Sequence, residues 1–484
     1  MVNPYVDLYG HFVKHVNYAM YAITGNKIFN HPAHDTVIID GDRIYDVTNL
    51  SQLTPNIEVK TFNNAYILPG FWDTHVHVVT TGVMMIYPNL KSATCIDDVL
   101  SILSMNLHHE PLIAYGLAPH RLRERRYPTT RELDTVSRTQ SIIVIREDLH
   151  SCVMNTVARK RLGITSPADV FRGEEFEPIW HKIQSSMGDD IIAQAIKLTC
   201  NHAINQGVTT ICGLFSNLRE YEIYDKLKDD LPIDVIPYVQ TIDVESIVKL
   251  GLPRIGGCIL VDGSISSHTA AMDTPYHDND TCGILYFTDD ELLQFVRKAA
   301  ETGLQVAMHA IGERAIRQLL DTYKKVPQHR HRIEHAECIT DEQIEQAARH
   351  GIVLSMQPAF EGVFHNLYVE RLGYSKAKNM NPFRKVFDRN IKVGFGSDSP
   401  VTNIDPLFGI KCATHHPNPE LSISYDEAIL GFTEYPAYAC FMETEYGKLA
   451  PGYVADITVV DIGMNKILAV IKRGQIVLKQ EQPA

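Results

Sequence analysis

Between residues 288 and 398 the hydrophobic positions change repeatedly from helical spacing to strand spacing. A first apolar stripe with helical spacing begins after the capping box of Thr288 and Glu291, and Gly303 ends it. A second capped helix begins at Thr340 and Gln343. Short apolar runs, typical of buried parallel strands, occupy residues 305–309, 330–335, 352–356 and 392–398. This alternation predicts a βαβαβ arrangement.

Apolar runs upstream raise the number of predicted parallel strands to about eight. They occupy residues 67–77, 208–213, 234–240 and 258–263. Eight parallel strands alternating with helices form a (β/α)8 TIM barrel, an α/β fold, which is therefore the predicted fold class. The roughly 130 residues between the first strand and residue 208 exceed one crossover connection. We expect an inserted lobe over about residues 85–200.

Both ends of the chain carry short segments typical of antiparallel strands. Residues 36–39 and 43–47 flank the turn Asp40-Gly41, which indicates a hairpin. Near the other end, residues 457–460, 467–471 and 475–478 show the same pattern. We expect the two ends to form a composite β-sandwich domain from residues 1–64 and 445–484, next to a catalytic barrel domain of residues 65–444.

Composition and charge exclude several classes of function. The 484 residues are 45% hydrophobic and 21% charged, which is typical of a large soluble enzyme. The net charge of -13 would repel nucleic acid, and no apolar run approaches the roughly 20 residues of a membrane helix. Residues 1–10 lack the features of a signal peptide, and the nine cysteines are scattered as suits reduced thiols. We expect a cytoplasmic protein with a small-molecule substrate and no nucleic-acid or membrane partner; homo-oligomerisation is left open.

The candidate chemistry lies where predicted strands end. His75 and His77 are two residues apart, so a strand places both side chains on one face. His309, His335 and Asp398 end three further predicted strands. Because the carboxyl ends of barrel strands surround one active site, we predict that these five side chains bind a divalent metal ion.

These segments resemble the motifs of the amidohydrolase superfamily, and in particular of amidohydrolase family 3, which includes N-substituted formamide deformylases. The matching segments cover nearly the whole chain and are residues 68–77, 207–210, 262–264, 309–315, 332–336, 396–401 and 451–456. The resemblance implies a metal-dependent hydrolase acting on carbon–nitrogen bonds other than peptide bonds. Zinc is the expected ion, as one or two per chain.

One position departs from the family pattern. Where the family has a strand-four lysine that can be carboxylated to bridge two metals, this chain has Cys258. A thiolate is itself a zinc ligand and could bridge two ions, so a binuclear site stays open. The alternative is an inert buried cysteine beside a single ion held by His75, His77, His309 and Asp398, with His335 close by.

The expected mechanism uses a water whose pKa is lowered toward about 7 by the metal. Asp398 would accept the proton of this water and pass it to the leaving nitrogen, while His335 or the metal polarises the carbonyl. The residues predicted to contact the substrate are His150, Asn155, His268 and Gln357.

Two other functions stay open from the sequence. The same chemistry could hydrolyse lactones or carbamates or deaminate a ring. Glu313 lies four residues after His309 instead of three, which argues against deamination. A non-catalytic regulatory pseudoenzyme on the same barrel is favoured only by the missing lysine, and the full set of ligands argues against it.

Overall fold

The computed structural model of the protein describes residues 20–147, 151–172 and 175–480. Within these residues the chain forms two compact units, whose boundaries lie between Val78 and Val79 and between Thr199 and Cys200. The second unit, Val79–Thr199, is the segment in which the sequence predicts an insertion. Among the described residues, no helix is both long enough and apolar enough to cross a lipid bilayer.

The elements of the described residues are numbered along the chain. The strands are β1 (Tyr21–Thr24), β2 (Lys27–Ile28), β3 (Thr36–Asp40), β4 (Arg43–Thr48), β5 (Glu58–Thr61), β6 (Ala65–Pro69), β7 (Phe71–His77), β8 (Leu112–Leu117), β9 (Ile142–Arg146), β10 (Ser151–Met154), β11 (Val170–Arg172), β12 (Val208–Phe215), β13 (Asp234–Val239), β14 (Arg254–Leu260), β15 (Gln305–Ala310), β16 (Arg332–His335), β17 (Val353–Met356), β18 (Val393–Phe395), β19 (Ile457–Asp461), β20 (Ile467–Lys472) and β21 (Gln475–Lys479). The helices are α1 (Val78–Ile86), α2 (Ile96–Met105), α3 (Thr130–Val136), α4 (Thr156–Arg161), α5 (Phe176–Ser186), α6 (Asp189–Asn205), α7 (Leu218–Leu227), α8 (Val244–Lys249), α9 (Asp289–Glu301), α10 (Glu313–Tyr323), α11 (Asp341–Arg349), α12 (Ala359–Leu372), α13 (Tyr374–Ala377), α14 (Phe383–Asp388), α15 (Pro406–Thr414), α16 (Tyr425–Gly431) and α17 (Glu434–Ala439).

Strands from both ends of the chain form two sheets in the first unit, with orders β4-β3-β1-β5 and β2-β6-β19-β20-β21. The predicted hairpin is confirmed, because β3 and β4 pair antiparallel. In the second of these sheets β19 pairs antiparallel with β6 and β20, and β6 pairs in parallel with β2, so strands from both ends of the chain share one sheet. Apolar side chains of both sheets, among them Ile23, Val37 and Val459, form one buried cluster.

Two other sheets of the first unit consist of parallel strands, in the orders β13-β12-β7 and β14-β15-β16-β17-β18. Every residue of β12, β15, β16 and β17 is buried, as in parallel sheets that are covered on both faces. The two sheets meet at both edges, because β13 contacts β14 and Val76 of β7 forms a parallel bridge with Ser399, just beyond β18.

Two predicted strands differ from the observed ones. The segment 67–77 is interrupted at Gly70, so that β6 belongs to the terminal sheet and β7 to a parallel sheet. A Cβ at Gly70 would lie 2.3 Å from Oγ1 of Thr209, so this change of sheet requires glycine. The segment predicted over 258–263 begins earlier, at Arg254. Gly256 and Gly257, with φ values of 97° and 103°, carry no side chains and so add nothing to the apolar run from which this strand was predicted.

The predicted helix starts are confirmed. Thr288 with Glu291 forms a capping box at α9, and Thr340 with Gln343 forms one at α11. In the second unit, β8, β9, β10 and β11 form a separate four-stranded sheet with its own apolar cluster, which includes Val99, Leu112 and Val144.

Candidate metal centre

The five predicted ligands lie together at the carboxyl ends of parallel strands. His75 and His77 are near or at the end of β7, His309 is the penultimate residue of β15, His335 ends β16, and Asp398 follows β18. The ring centroids are 4.8 Å apart for His75 and His335, 4.5 Å for His309 and His335, and 5.4 Å for His75 and His77. The structure therefore brings the five side chains to one place.

Unusual backbone conformations aim two of these side chains. His335 and Asp398 have φ values of 71° and 56°, in the left-handed region that residues with a Cβ rarely adopt. The amide of Asp398 donates to the carbonyl of His75 at 2.8 Å, and the amide of His77 donates to the carbonyl of Ser399 at 2.9 Å. Such backbone strain persists where neighbouring structure enforces it, and it is concentrated at functional sites.

Asp398 faces two histidines. Its Oδ1 lies 3.3 Å from Nε2 of His75 and 3.2 Å from Nε2 of His77. Burial raises the pKa of the Asp398 carboxyl, but the attraction of His75 and His77 outweighs burial and holds this pKa well below its usual value. Asp398 is therefore a carboxylate at neutral pH.

A buried ion pair orients His75. Its Nδ1–H donates to Oε2 of Glu334 at 2.7 Å, which turns Nε2 toward Asp398, and in the neutral ring this nitrogen carries the lone pair that a metal ion can use. Arg332 donates through Nη2 to the same Glu334 oxygen at 2.9 Å and to the carbonyl of Thr74 at 2.7 Å. Carboxylates in this position fix the tautomer and the orientation of metal-binding histidines.

Gln357 orients His335 in a similar way. The Nδ1–H of His335 donates to Oε1 of Gln357 at 2.7 Å, and Nε2 of Gln357 donates to the carbonyl of Ser355 at 3.3 Å. Burial and the neighbouring His309 lower the pKa of His335, so its imidazole is neutral, which is the form that binds metals. The structure thus places Gln357, predicted to contact the substrate, behind His335 with its polar groups engaged.

Cys258 lies among the histidines. Its Sγ is 3.8 Å from Nδ1 of His309, whose Nε2–H donates to the carbonyl of Gly263 at 3.1 Å. Burial raises the pKa of the Cys258 thiol, but the neighbouring imidazoles, that of His309 above all, outweigh burial and hold this pKa well below its usual value. The sulfur is therefore available as a thiolate, the form that binds metals.

The donor atoms fit a metal ion. Nε2 of His75, Nε2 of His335 and Oδ1 of Asp398 are buried and have no hydrogen-bond partner. Leaving such a group unpaired costs about 1–3 kcal/mol, and a bound cation would satisfy all three. Two sets of side chains, His75 with Cys258 and His335, and His75 with His77 and Asp398, each have their ligand atoms within 4.8 Å of one another. Nitrogen, sulfur and oxygen ligands of this kind are those that zinc prefers.

The other predicted substrate contacts have different surroundings. His150 lies outside the described residues. Asn155 is buried as the N-cap of α4, and its side chain accepts from the amides of Ile142 and Ala158 at 3.0 and 2.9 Å. The side chain of Asn155 thus stabilises the fold of the second unit, because it joins the start of β9 to the first turn of α4. His268 has a φ of 59° in the loop after β14, and its Nε2 lies 2.9 Å from Oδ1 of Asp278.

Three residues that support the ligands are not among those predicted from the sequence: Asp73, Arg332 and Glu334. Asp73 is buried and accepts from the amides of His75 at 3.1 Å and Ser397 at 2.9 Å, so it links the two ligand-bearing segments. Burial raises its pKa to about 6, although its hydrogen bonds with Ser397 act in the opposite direction. All three are charged residues inside segments predicted to be buried strands, and this is the signal that could have identified them.

The chain is similar to known proteins both in sequence and in fold. A sequence model of the Amidohydrolase family matches residues 62–478. YtcJ of Bacillus subtilis, whose name gives it as a candidate amidohydrolase, is 28% identical over 477 aligned residues, covering 87% of this chain and 89% of that protein. The N-substituted formamide deformylase of Arthrobacter pascens is 22% identical, covering 88% of this chain and 89% of that enzyme. An uncharacterized metal-dependent hydrolase from Pyrococcus furiosus shares the fold, with a TM-score of 0.81 at 23% identity over 92% of this chain and 99% of its own.

Proposed function

This chain belongs to the amidohydrolase family, and we propose that it is a metal-dependent hydrolase that cleaves a carbon–nitrogen bond, other than a peptide bond, in a small amide-like molecule. One observation carries the proposal: the buried, unpaired ligand atoms of His75, His335 and Asp398 converge at the carboxyl ends of parallel strands. The similarity to an enzyme named N-substituted formamide deformylase supports a carbon–nitrogen bond as the target.

The proposal includes the finer architecture. The two parallel sheets would form one (β/α)8 barrel, which is supported by the contact of β13 with β14 and by the bridge between Val76 and Ser399. The two terminal sheets would form a β-sandwich from both ends of the chain, which is supported by their common apolar cluster. In such a barrel the active site lies at the carboxyl ends of the strands, where the candidate ligands are.

The metal-binding residues of this proposal are His75, His77, His309, His335, Asp398 and Cys258. A bound divalent ion supplies a water activated for attack near neutral pH. Imidazole and thiolate donors favour zinc over magnesium or manganese, for which oxygen ligands are typical.

Proton transfer in this proposal falls to Asp398. Its carboxylate is ionised, so an oxygen that does not bind the metal can accept a proton from the attacking water and release it to the leaving nitrogen. His335 has its single N–H committed to Gln357 and presents a lone pair at Nε2. His335 therefore suits a ligand role better than the polarisation of a substrate carbonyl.

We also propose that the protein acts in the cytoplasm on a small molecule. Its nine cysteines are free thiols, which supports a reducing compartment. The net charge of -13 disfavours nucleic acid as a partner.

The test begins with the metal content of the purified full-length chain. The chain is then assayed with Zn²⁺ or Mn²⁺ against N-substituted formamides, other amides, lactones, carbamates and aminopurines. We expect the wild-type chain to hydrolyse the amides. In Asp398→Asn the hydrolysis rate should fall at least about 100-fold, because a general base is removed. The control is Asp388→Asn, whose side chain is 51% exposed at the end of α14 and should leave the rate unchanged.

Two results would contradict the proposal in different ways. A chain that holds no transition metal, and gains no activity when one is added, would not be a metal-dependent hydrolase. Faster turnover of lactones or aminopurines than of every amide would retain the metal chemistry but reject the proposed bond.

A further inference from the structure

Leu260 is an exposed leucine beside the candidate metal centre. It ends β14 and is 40% exposed, whereas the first four residues of this strand are buried. In the register of the parallel sheet Leu260 lies opposite His309, and along the strand it is two residues from Cys258. Both relations place its side chain on the face that carries the candidate ligands, one step nearer to the open end of the strands.

Aromatic side chains of α12 line another side of the centre. The ring of Phe360 stacks on that of His335, with centroids 6.2 Å apart and an angle of 15° between the planes. Phe364, one turn further along α12, contacts Phe360 edge to face at a centroid distance of 5.3 Å and is only partly buried. The rings of His335 and His309 are 4.5 Å apart, and Leu260 lies beside His309. The leucine and the two phenylalanines thus flank two neighbouring ligands.

One apolar cluster connects these two sides of the centre. It contains Ile265 from the loop after β14, Ile311 from the loop after β15, and Phe360 of α12. Phe364 packs against the same cluster. The apolar surface therefore extends from the loop that follows Leu260 to the first two turns of α12. A substrate bound at the metal centre would meet this surface beside the ligands.

We propose that Leu260 and Phe364 hold an apolar substituent of the substrate, so that the protein prefers amides with an uncharged aromatic or branched aliphatic group. This inference rests on the proposed function and specifies its substrate class. An apolar group held against these side chains leaves water, which is favourable. A charged group there would lose part of its hydration and find no partner in either side chain, which is unfavourable.

The specificity of the purified full-length chain, assayed with Zn²⁺, tests this inference. We measure kcat/KM for formamides that carry a methyl, isobutyl, benzyl or carboxymethyl group on the nitrogen, and for N-methyl amides whose acyl substituent varies in the same way. The two series separate a substituent on the nitrogen from one on the carbonyl. In one of the series we expect kcat/KM to be at least about 10-fold higher for the isobutyl or benzyl compound than for the methyl compound, and lowest for the carboxymethyl compound.

Variants of the two residues assign the preference to them. Leu260→Ala and Phe364→Ala should each reduce the ratio of kcat/KM between the preferred and the methyl compound by about 10-fold or more, because an apolar contact is lost. Leu260→Met keeps an apolar side chain of similar volume and should retain the ratio. Leu250→Ala is the matched control: Leu250 is also 40% exposed, but it follows α8 and lies before β14 begins, at the opposite end of this strand from Leu260. Its substitution should leave the ratio unchanged.

The comparison of substrates with the wild-type chain needs no variant, so it decides even if a variant does not fold. Equal kcat/KM across both series, or a preference for the carboxymethyl compounds, would overturn the apolar subsite and leave the proposed function standing. A preference that is unchanged in either Leu260→Ala or Phe364→Ala would show that other side chains create it. A chain that binds metal but hydrolyses none of the amides would overturn the proposed function together with this inference.

Discussion

Glu334 shows how one residue outside the ligand set can control the metal centre. It is fully buried, accepts from His75 and is paired with Arg332. Glu334→Gln keeps the shape of the side chain but removes the charge that orients His75, and it leaves Arg332 buried without its counter-ion. We expect the affinity for Zn²⁺, measured by competition with a chromophoric chelator, to fall about 10- to 100-fold.

Glu345→Gln is the control for this prediction. Glu345 also pairs with an arginine, Arg389, but both side chains are about half exposed, at 49% and 50%. Exposed pairs contribute about 0–1 kcal/mol, so this variant should match the wild-type chain in stability and Zn²⁺ affinity. Removal of one partner from a buried pair costs about 3–5 kcal/mol, so affinities are compared at a temperature where both variants are folded. Unchanged Zn²⁺ affinity in Glu334→Gln would show that the ion pair only stabilises the fold.

The same residues show what a sequence can reveal at this scale. His75 and His77 could be predicted as ligands because spacing along one strand fixes their common face. The contact of Glu334 with His75 could not be predicted, because it joins positions 259 residues apart. Arg332 and Glu334 are two residues apart on the buried strand β16, so their side chains share one face. Their pairing with each other could therefore be predicted from the sequence. Gln357 was predicted to contact the substrate because it follows the end of β17. Its observed partner is the ring of His335, which the sequence does not reveal.

At the scale of elements, the start of α9 depends on one hydroxyl group. Oγ1 of Thr288 accepts from the amide of Glu291 at 3.3 Å, and the Glu291 carboxylate accepts from the amide of Thr288 at 2.9 Å. Thr288→Ala should lower the free energy of unfolding by about 0.5–2 kcal/mol, measured with urea, and leave metal content unchanged. Thr302→Ala at the other end of α9 should cost less than about 0.5 kcal/mol. Equal losses in both variants would show that the cap contributes nothing of its own.

Helix α7 carries a pH-dependent contribution to stability. Glu220 in its first turn is buried and accepts from the amide of Ser216 at 2.7 Å. Burial raises its pKa to about 7 despite this hydrogen bond. The folded chain thus keeps a proton that the unfolded chain releases near the ordinary pKa of a glutamate, about 4.3, so this contribution to stability falls as the pH rises from that value through about 7.

Glu220→Gln removes this titration. The stability of the wild-type chain relative to Glu220→Gln should therefore decrease by on the order of 1–3 kcal/mol between about pH 5 and about pH 8. Urea unfolding of both proteins at several pH values measures the difference. Glu222→Gln on the exposed face of α7 should show no such trend. A difference that is constant over this range would show that Glu220 is not protonated in the folded chain.

The elements that could be predicted share a local cause. The starts of α9 and α11 follow from side chains three residues apart, and the hairpin of β3 and β4 follows from its turn. The break at Gly70 could not be predicted, because it depends on the approach of Thr209, far away in the sequence. The early start of β14 was missed because Gly256 and Gly257 have no side chains to reveal the face they occupy.

At the scale of the whole molecule, Lys472 connects the terminal sheet to the parallel strand β13. Its Nζ lies 2.6 Å from Oδ2 of Asp456, just before β19, and 2.8 Å from Oδ2 of Asp234, at the start of β13. The Lys472 side chain is 8% exposed, so little water is available to replace it. Burial raises the pKa of Asp456, and the attraction of Lys472 opposes this rise. The lysine thus favours the ionised form of two nearby carboxyls inside the fold.

Lys472→Met should lower the free energy of unfolding by about 3–5 kcal/mol at neutral pH, because it leaves buried carboxylates without their cation. The deficit should shrink near pH 5, since the unpaired carboxyls then have a raised pKa in the folded chain and take up protons that relieve their repulsion. Arg473→Met is the matched control: its side chain pairs with Asp234 at 3.1 Å but is 49% exposed, so its loss should cost at most about 1 kcal/mol. Urea unfolding of the two variants at both pH values measures these differences. Similar losses in both, or a Lys472→Met deficit that does not change with pH, would show that the terminal sheet is held to β13 by apolar packing and not by this cation.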